Sequence, residues 1–128
     1  MSFNILITDD SATTRAIIKR TLQMTEVPVG TLLEAANGLE ALEVLQNEWV
    51  DLVMTDINMP EMNGIELVEK MKESPDFENI PVVVLSTEGS ETRIEELQNM
   101  GINGFLHKPF TPEQVRDLIK EALGDWDE

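Results

Sequence analysis

Side chains that can bind a metal ion or a phosphoryl group follow four apolar segments of this 128-residue chain. Asp9 and Asp10 follow the first segment, Asp56 follows a central one, and Ser86 and Lys108 follow two later ones. If these segments are strands of one parallel sheet, their carboxyl ends lie at the same edge, where open α/β sheets bind their ligands. We therefore expect the five side chains to converge on a single site.

The charges of these side chains predict what the site would bind. Two carboxylates about 4 Å apart repel each other by roughly 4 kcal/mol at an effective dielectric constant of about 20. Lys108 offsets one of the three negative charges, and the remaining two match one divalent cation. Oxygen-only ligands favour Mg²⁺ over Zn²⁺. A metal ion beside a lysine also suits a phosphoryl group, whose phosphorus atom a carboxylate could attack in line.

Apolar runs of strand length alternate with segments of helical periodicity along the chain. Strands are predicted at residues 3–8, 31–35, 50–55, 82–85 and 105–107. Helices are predicted after the capping residues Ser11, Asn37, Asn63 and Thr111, and over residues 90–100. Spacings of three and four predict the buried faces of two of these helices: Leu39, Leu42, Leu45 and Trp49 after Asn37, and Ile65, Val68 and Met71 after Asn63.

This alternation of five strands and five helices predicts an α/β fold with a parallel sheet covered on both faces. We find no linker, internal repeat or low-complexity run. Residues 1–128 are therefore expected to form a single domain with no separate output domain.

Composition excludes several classes of function. A net charge of −16 argues against nucleic-acid binding, which needs lysine and arginine for the phosphates. The chain has no cysteine and only one histidine, so a thiolate or multi-histidine metal site is excluded. It also has neither an apolar run of about 18 residues nor an export signal, which predicts a cytoplasmic protein without membrane association.

The motifs, in their order along the chain, resemble the receiver domain of response regulators. They are Asp9-Asp10, Asp56 followed by Met59-Pro60 and Met62-Asn63-Gly64, Ser86, and Lys108-Pro109-Phe110. The resemblance covers essentially the whole chain and is closest to the stand-alone, CheY-like chemotaxis regulators. It implies a doubly wound, flavodoxin-like sheet with strand order 2-1-3-4-5, an order of which the CheY fold is itself a standard example.

The resemblance also implies roles for the site residues. Asp56 would accept a phosphoryl group from the phosphohistidine of a sensor histidine kinase. Asp9, Asp10, Asp56 and the backbone carbonyl of Asn58 would hold Mg²⁺. The Lys108 ammonium and the Ser86 hydroxyl would bind the phosphoryl oxygens.

Further positions would tune the site and transmit its state. Asn58 and Glu88 lie at two positions that in the family influence how fast the acyl phosphate hydrolyses. Phe105 takes the place of the switch aromatic, which turns inward when Ser86 moves toward the phosphate. The bond between Lys108 and Pro109 would be the family's cis peptide.

The implied function is that of a phosphorelay response regulator, monomeric and not an enzyme beyond its own phosphorylation and dephosphorylation. Its output surface would comprise the fourth helix, the last strand and the fifth helix. The partner would be a flagellar motor component or a further phosphorelay member. Phe105 replaces the commoner tyrosine, and the fourth helix carries Glu91, Glu95 and Glu96, which leaves the partner open.

Four alternatives remain at this point. One is a stand-alone receiver of a pathway other than chemotaxis, and another is a degenerate receiver that only binds partners. A phosphatase of the haloacid-dehalogenase type would carry Asp-x-Asp, whereas Asn58 stands two residues after Asp56. A flavodoxin-like nucleotide binder would need a phosphate-binding loop where Asp9 and Asp10 stand.

Overall fold

Five parallel strands form one sheet in the order β2-β1-β3-β4-β5. The computed structural model describes residues 2–87 and 89–124. In chain order the elements are β1 Phe3–Thr8, α1 Ala12–Gln23, β2 Val29–Ala35, α2 Gly38–Asn47, β3 Leu52–Thr55, α3 Gly64–Glu73, β4 Val82–Ser86, α4 Glu91–Asn99, β5 Gly104–His107 and α5 Pro112–Leu123. The predicted fold class and strand order are confirmed.

Successive strand residues contribute to opposite faces of the sheet, because side chains alternate along a strand. In β1, Leu6 packs into the core that α2, α3 and α4 cover, whereas Ile5 and Ile7 pack into the core that α1 and α5 cover. All three are fully buried. Two hydrophobic cores therefore fix the sheet from both sides and hold the strand ends in place.

The helix starts follow the predicted capping chemistry. The Ser11 side chain accepts a hydrogen bond from the Thr14 amide, and Asn63 and Thr111 each form a complete capping box. Asn37 accepts from the Glu40 amide, but the Glu40 carboxylate accepts from the amide of Ala36. The second helix is thus capped, without the reciprocal bond of a capping box.

The predicted inner face of α2 is partly wrong. Leu39 is 49% exposed and Trp49 is 77% exposed, whereas Ala41 and Leu45 are buried. Gly38 lies against Met62, whose carbonyl oxygen accepts from the Gly38 amide at 2.9 Å. Because of this close approach, the face of α2 that carries Gly38 and Ala41 packs inward, and Leu39 lies outside it. The helix ends at Asn47, so Trp49 is not part of it.

Smaller differences concern element boundaries. β2 starts at Val29, two residues earlier than predicted, and β3 starts at Leu52, two residues later. In α4 only Leu97 is fully buried, so this helix packs shallowly against its neighbours. Among the described residues, no helix has the length and apolar character required to span a membrane.

Candidate functional site

The carboxyl ends of β1 and β3 place two aspartates side by side. Thr8 ends β1, and its carbonyl accepts from the Asp56 amide at 3.0 Å. The Asp9 amide in turn donates to the carbonyl of Ala35 at 3.1 Å. These backbone bonds continue the parallel ladders for one residue beyond the strands. The position of both acids is therefore set by the sheet itself.

Three carboxylates meet at this edge. Asp9, Asp10 and Asp56 each offer one oxygen atom, and these atoms all lie within 4.8 Å of one another. Asp9 is only 2% exposed, and Asp10 is exposed at the mouth. Hard oxygen donors in one small cluster are the ligand set that Mg²⁺ prefers, so the residues present fit a magnesium ion. The predicted convergence of the acids is confirmed geometrically.

Lys108 joins the cluster from the far end of the chain. Its Nζ atom lies 2.8 Å from Asp9 Oδ2 and 3.2 Å from Asp56 Oδ2. Burial lowers the pKa of Lys108, but the hydrogen bond with Asp9 and the charges of both carboxylates outweigh it and raise this pKa above its ordinary value of 10.5. The lysine is therefore a cation at every physiological pH, and it contacts two of the three clustered carboxylates.

Each of the two inner carboxylates has its other oxygen bound to a local backbone amide. Asp9 Oδ1 accepts from the Ser11 amide at 2.9 Å, and Asp56 Oδ1 accepts from the Ile57 amide at 2.6 Å. The Oδ2 atoms of both acids consequently point at Lys108. Both carboxylates are therefore held in a fixed orientation, but the single charge of Lys108 balances only one of their two negative charges.

Two residues that support the site escaped the sequence analysis. Arg15 Nη1 donates to the carbonyl of Asp9 at 2.6 Å, while Arg15 Nε donates to Glu34 at 2.9 Å. Hydrogen bonds from Lys19 and Arg15 lower the pKa of Glu34. The only sequence signal was a basic residue in the first helix of an acidic chain, which did not indicate where its side chain would reach.

Gly64 is the second such residue. Its amide donates to the carbonyl of Ile57 at 2.7 Å. A Cβ atom at this position would collide with the carbonyl oxygen of Asp56 and lie 2.9 Å from Ile57 Cα. From the sequence, Gly64 is part of a helix start and of the Met62-Asn63-Gly64 motif, whereas the structure also requires a glycine behind the central aspartate.

The remaining predicted residues lie around this core of the site. Ser86 is fully buried at the end of β4, and its carbonyl accepts from the Lys108 amide at 3.0 Å. The peptide bond between Lys108 and Pro109 is cis, as the resemblance implied. Glu88 lies outside the described residues.

The contacts of Asn58 and Phe105 are with residues outside the carboxylate cluster. Asn58 is exposed, and its Oδ1 accepts from Arg93 Nη1 at 3.0 Å. Phe105 is half-buried and packs edge-on against the exposed His107, with ring centroids 5.0 Å apart and planes at 76°. The structure thus brings Asp9, Asp10, Asp56 and Lys108 together and sets the other predicted residues around them.

Comparisons with known proteins agree with this geometry. The family model for the response regulator receiver domain matches residues 5–120. The chain is 40% identical over 121 residues to a Campylobacter jejuni chemotaxis protein CheY homolog, covering 94% of this chain and 92% of that protein. It is 37% identical over 120 residues to the two-component response regulator ORR3 of Oryza sativa, covering 94% and 90%. The crystal structure of Vibrio cholerae chemotaxis protein CheY4 superposes with a TM-score of 0.84 at 32% identity, covering 96% of this chain and 100% of that one.

Proposed function

Because the chain belongs to the response regulator receiver domain family, we propose that Asp56 accepts a phosphoryl group from the phosphohistidine of a sensor histidine kinase. The chain is a CheY-like receiver of two-component signalling. Its own chemistry would be limited to gaining and losing this one phosphoryl group. The phosphorylation state would then control the binding of a partner protein.

The contact of Lys108 with both Asp9 and Asp56 carries this proposal. Three residues that are far apart in sequence meet within hydrogen-bonding distance at one sheet edge. Clustered charges of this kind lower the stability of a fold unless a bound ligand compensates them. A divalent cation and a phosphoryl group are together the ligand whose charges this cluster complements.

The chain's own residues have distinct parts in the transfer. An Asp56 carboxylate oxygen would form a bond to phosphorus while the bond from phosphorus to the histidine nitrogen breaks, and the imidazole would leave with the bonding electrons. Lys108 would stabilise the negative charge on the transferring oxygens. The Ser86 hydroxyl would donate a hydrogen bond to one of these oxygens.

A magnesium ion would be held by Asp9, Asp10, Asp56 and the backbone carbonyl of Asn58. When bound, it would supply charge neutralisation and orientation of the phosphoryl oxygens. Asn58 and Glu88 would influence the rate at which the acyl phosphate hydrolyses.

Phosphorylation would act as a population shift between two conformations. The added negative charge would draw Ser86 and Lys108 toward the phosphoryl group. Phe105, which is half-buried next to His107, would then turn further inward and change the surface formed by α4, β5 and α5. The shallow packing of α4, where only Leu97 is fully buried, supports this helix as the element that moves.

We propose a chemotaxis-type kinase and the flagellar motor switch as partners, since the similar Campylobacter jejuni protein is a chemotaxis protein. The similarity to a plant two-component response regulator favours a second candidate, a receiver of another phosphorelay. Binding of the phosphorylated protein to a flagellar switch peptide would support the first candidate. Equal binding with and without phosphorylation would count against it.

The phosphoacceptor proposal predicts a defined labelling pattern. Incubation with a small-molecule phosphodonor should add one phosphoryl group to the intact mass, and only in the presence of Mg²⁺. The Asp56→Asn variant should gain none, because the amide is not a nucleophile toward phosphorus. Normal labelling of Asp56→Asn would overturn the assignment.

A further inference from the structure

A hydrogen bond crosses from α4 to the loop after β3 at the rim of the acidic site. Arg93 lies in the first turn of α4, and its Nη1 atom donates to Asn58 Oδ1 at 3.0 Å. Asn58 stands two residues after Asp56 on an exposed part of the loop. The half-buried Arg93 therefore fixes the orientation of a carboxamide beside the proposed phosphoacceptor.

Loss of the phosphoryl group by hydrolysis requires access to this rim. A water oxygen would form a bond to phosphorus while the bond from phosphorus to the Asp56 oxygen breaks. Asp56 would leave as a carboxylate, and the water would release a proton to solvent. In-line attack needs water on the side of the phosphorus atom opposite the Asp56 oxygen.

The carboxamide oxygen of Asn58 is a group that could orient this water, because it accepts hydrogen bonds. In the structure this oxygen faces the guanidinium of Arg93 instead. A charged donor forms a stronger hydrogen bond than a water molecule does, so Arg93 competes effectively for the oxygen. The water then loses an acceptor that would align it for attack.

We propose that Arg93 is a positioning residue that prolongs the lifetime of the aspartyl phosphate by holding Asn58 Oδ1 away from the attacking water. This inference rests on the proposed role of Asp56. It gives α4, part of the proposed output surface, a direct link to the persistence of the signal. Binding of a partner that moves Arg93 would consequently change the phosphoryl lifetime.

The test measures the first-order loss of the phosphoryl group from the purified 128-residue chain after labelling with a small-molecule phosphodonor. Arg93→Ala should lose it about threefold faster, the scale of one partly exposed charged hydrogen bond, with little change in the labelling rate. Arg20→Ala is the matched control, because Arg20 is an exposed arginine at the end of α1 and the change in net charge is the same. This control should decay like the original chain.

A double-mutant cycle decides whether Arg93 acts through Asn58. In an Asn58→Ala background, Arg93→Ala should cause no further acceleration. An equal acceleration in both backgrounds, or an unchanged or slower loss in Arg93→Ala alone, would overturn the inference. If the unsubstituted chain takes up no phosphoryl group at all, the proposed role of Asp56 has failed; if it labels normally, the decay rates test Arg93 alone.

Discussion

The carboxylates at the two edges of the sheet differ in their hydrogen-bond partners and in how their charge is compensated. At the amino edge, Asp51 accepts from the Asn4 amide at 2.7 Å and from Trp49 Nε1 at 2.9 Å. Asn4 Nδ2 also donates to the carbonyl of Trp49. This single acid is bound on both oxygens by uncharged donors and ties the start of β1 to the turn before β3.

At the carboxyl edge, three carboxylates form one cluster, and Lys108 contacts two of them, Asp9 and Asp56. Without a bound metal ion, such a cluster lowers the stability of the fold, because the repulsion between like charges exceeds what one cation can offset. A satisfied acid indicates a structural role, whereas an under-compensated cluster indicates a ligand. The difference between the edges can be tested by substitutions that should have unequal or opposite effects.

The largest effect on stability is expected from substitution of Gly64. Gly64→Ala should lower the free energy of unfolding by about 3 kcal/mol, because its Cβ would meet the backbone of Asp56 and Ile57, which cannot move aside. Gly30→Ala near the amino edge is the control, since its nearest neighbours are the side chains of Ser2 and Asn4. Chemical denaturation measures the free energy of unfolding of both variants. An equal loss of stability in the two would contradict a special constraint behind Asp56.

Removal of the amino-edge acid should have the next largest effect. Asp51→Ala should lower the free energy of unfolding by about 1–2 kcal/mol, because the amide of Asn4 loses its partner in a partly buried position. Thermal denaturation should show the same loss with and without Mg²⁺. A loss that Mg²⁺ reverses would mean that this acid belongs to the metal site.

Removal of a carboxyl-edge acid should have the opposite sign. Asp10→Asn should raise the free energy of unfolding by about 1 kcal/mol in metal-free buffer, because it relieves repulsion within the cluster. Mg²⁺ should raise the melting temperature of the unsubstituted chain, since a ligand of the native state stabilises it. The same titration on Asp10→Asn should give a smaller rise; an equal rise would exclude Asp10 as a ligand.

The smallest effect concerns Glu34, which holds Arg15 beside Asp9. Its side chain is 37% exposed, so Glu34→Gln should lower the free energy of unfolding by less than about 1 kcal/mol near neutral pH. The pKa of Glu34 is lowered by Lys19 and Arg15, so its contribution is present above the ordinary value of 4.5 and is lost as the pH falls through the folded-state pKa. Denaturation curves of both proteins should therefore converge on acidification, and a gap that persists in acid would contradict the ion pairs.

The sequence was sufficient for those features that depend on local chemistry or on the direction of the strands. Ser11, Asn63 and Thr111 cap helices because their side-chain oxygens reach amides three residues away. Asp9 and Asp56 could be placed together because parallel strands end at one edge. The strand order, by contrast, came from the resemblance, since alternation alone does not specify which strands are neighbours.

Features that depend on tertiary approach were missed. The spacing of Leu39 and Trp49 indicated burial, but the contact of Gly38 with Met62 set the orientation of α2. Arg15 and Arg93 reach their partners through long side chains, and no local sequence pattern predicts the position of the guanidinium group. The roles of Ser86, Asn58, Glu88 and Phe105 stay predictions, because they concern a phosphorylated state.

The most direct test of the phosphoacceptor is to locate the phosphoryl group on the chain. Borohydride reduces an acyl phosphate to an alcohol, so it converts a phosphorylated aspartate into homoserine. After labelling in Mg²⁺ and reduction, peptide mass spectrometry should find homoserine at position 56 and at no other aspartate. Homoserine at position 9 or 10, or a labelled chain that borohydride leaves unreduced and that carries phosphate on His107, its one histidine, would contradict Asp56 as the acceptor.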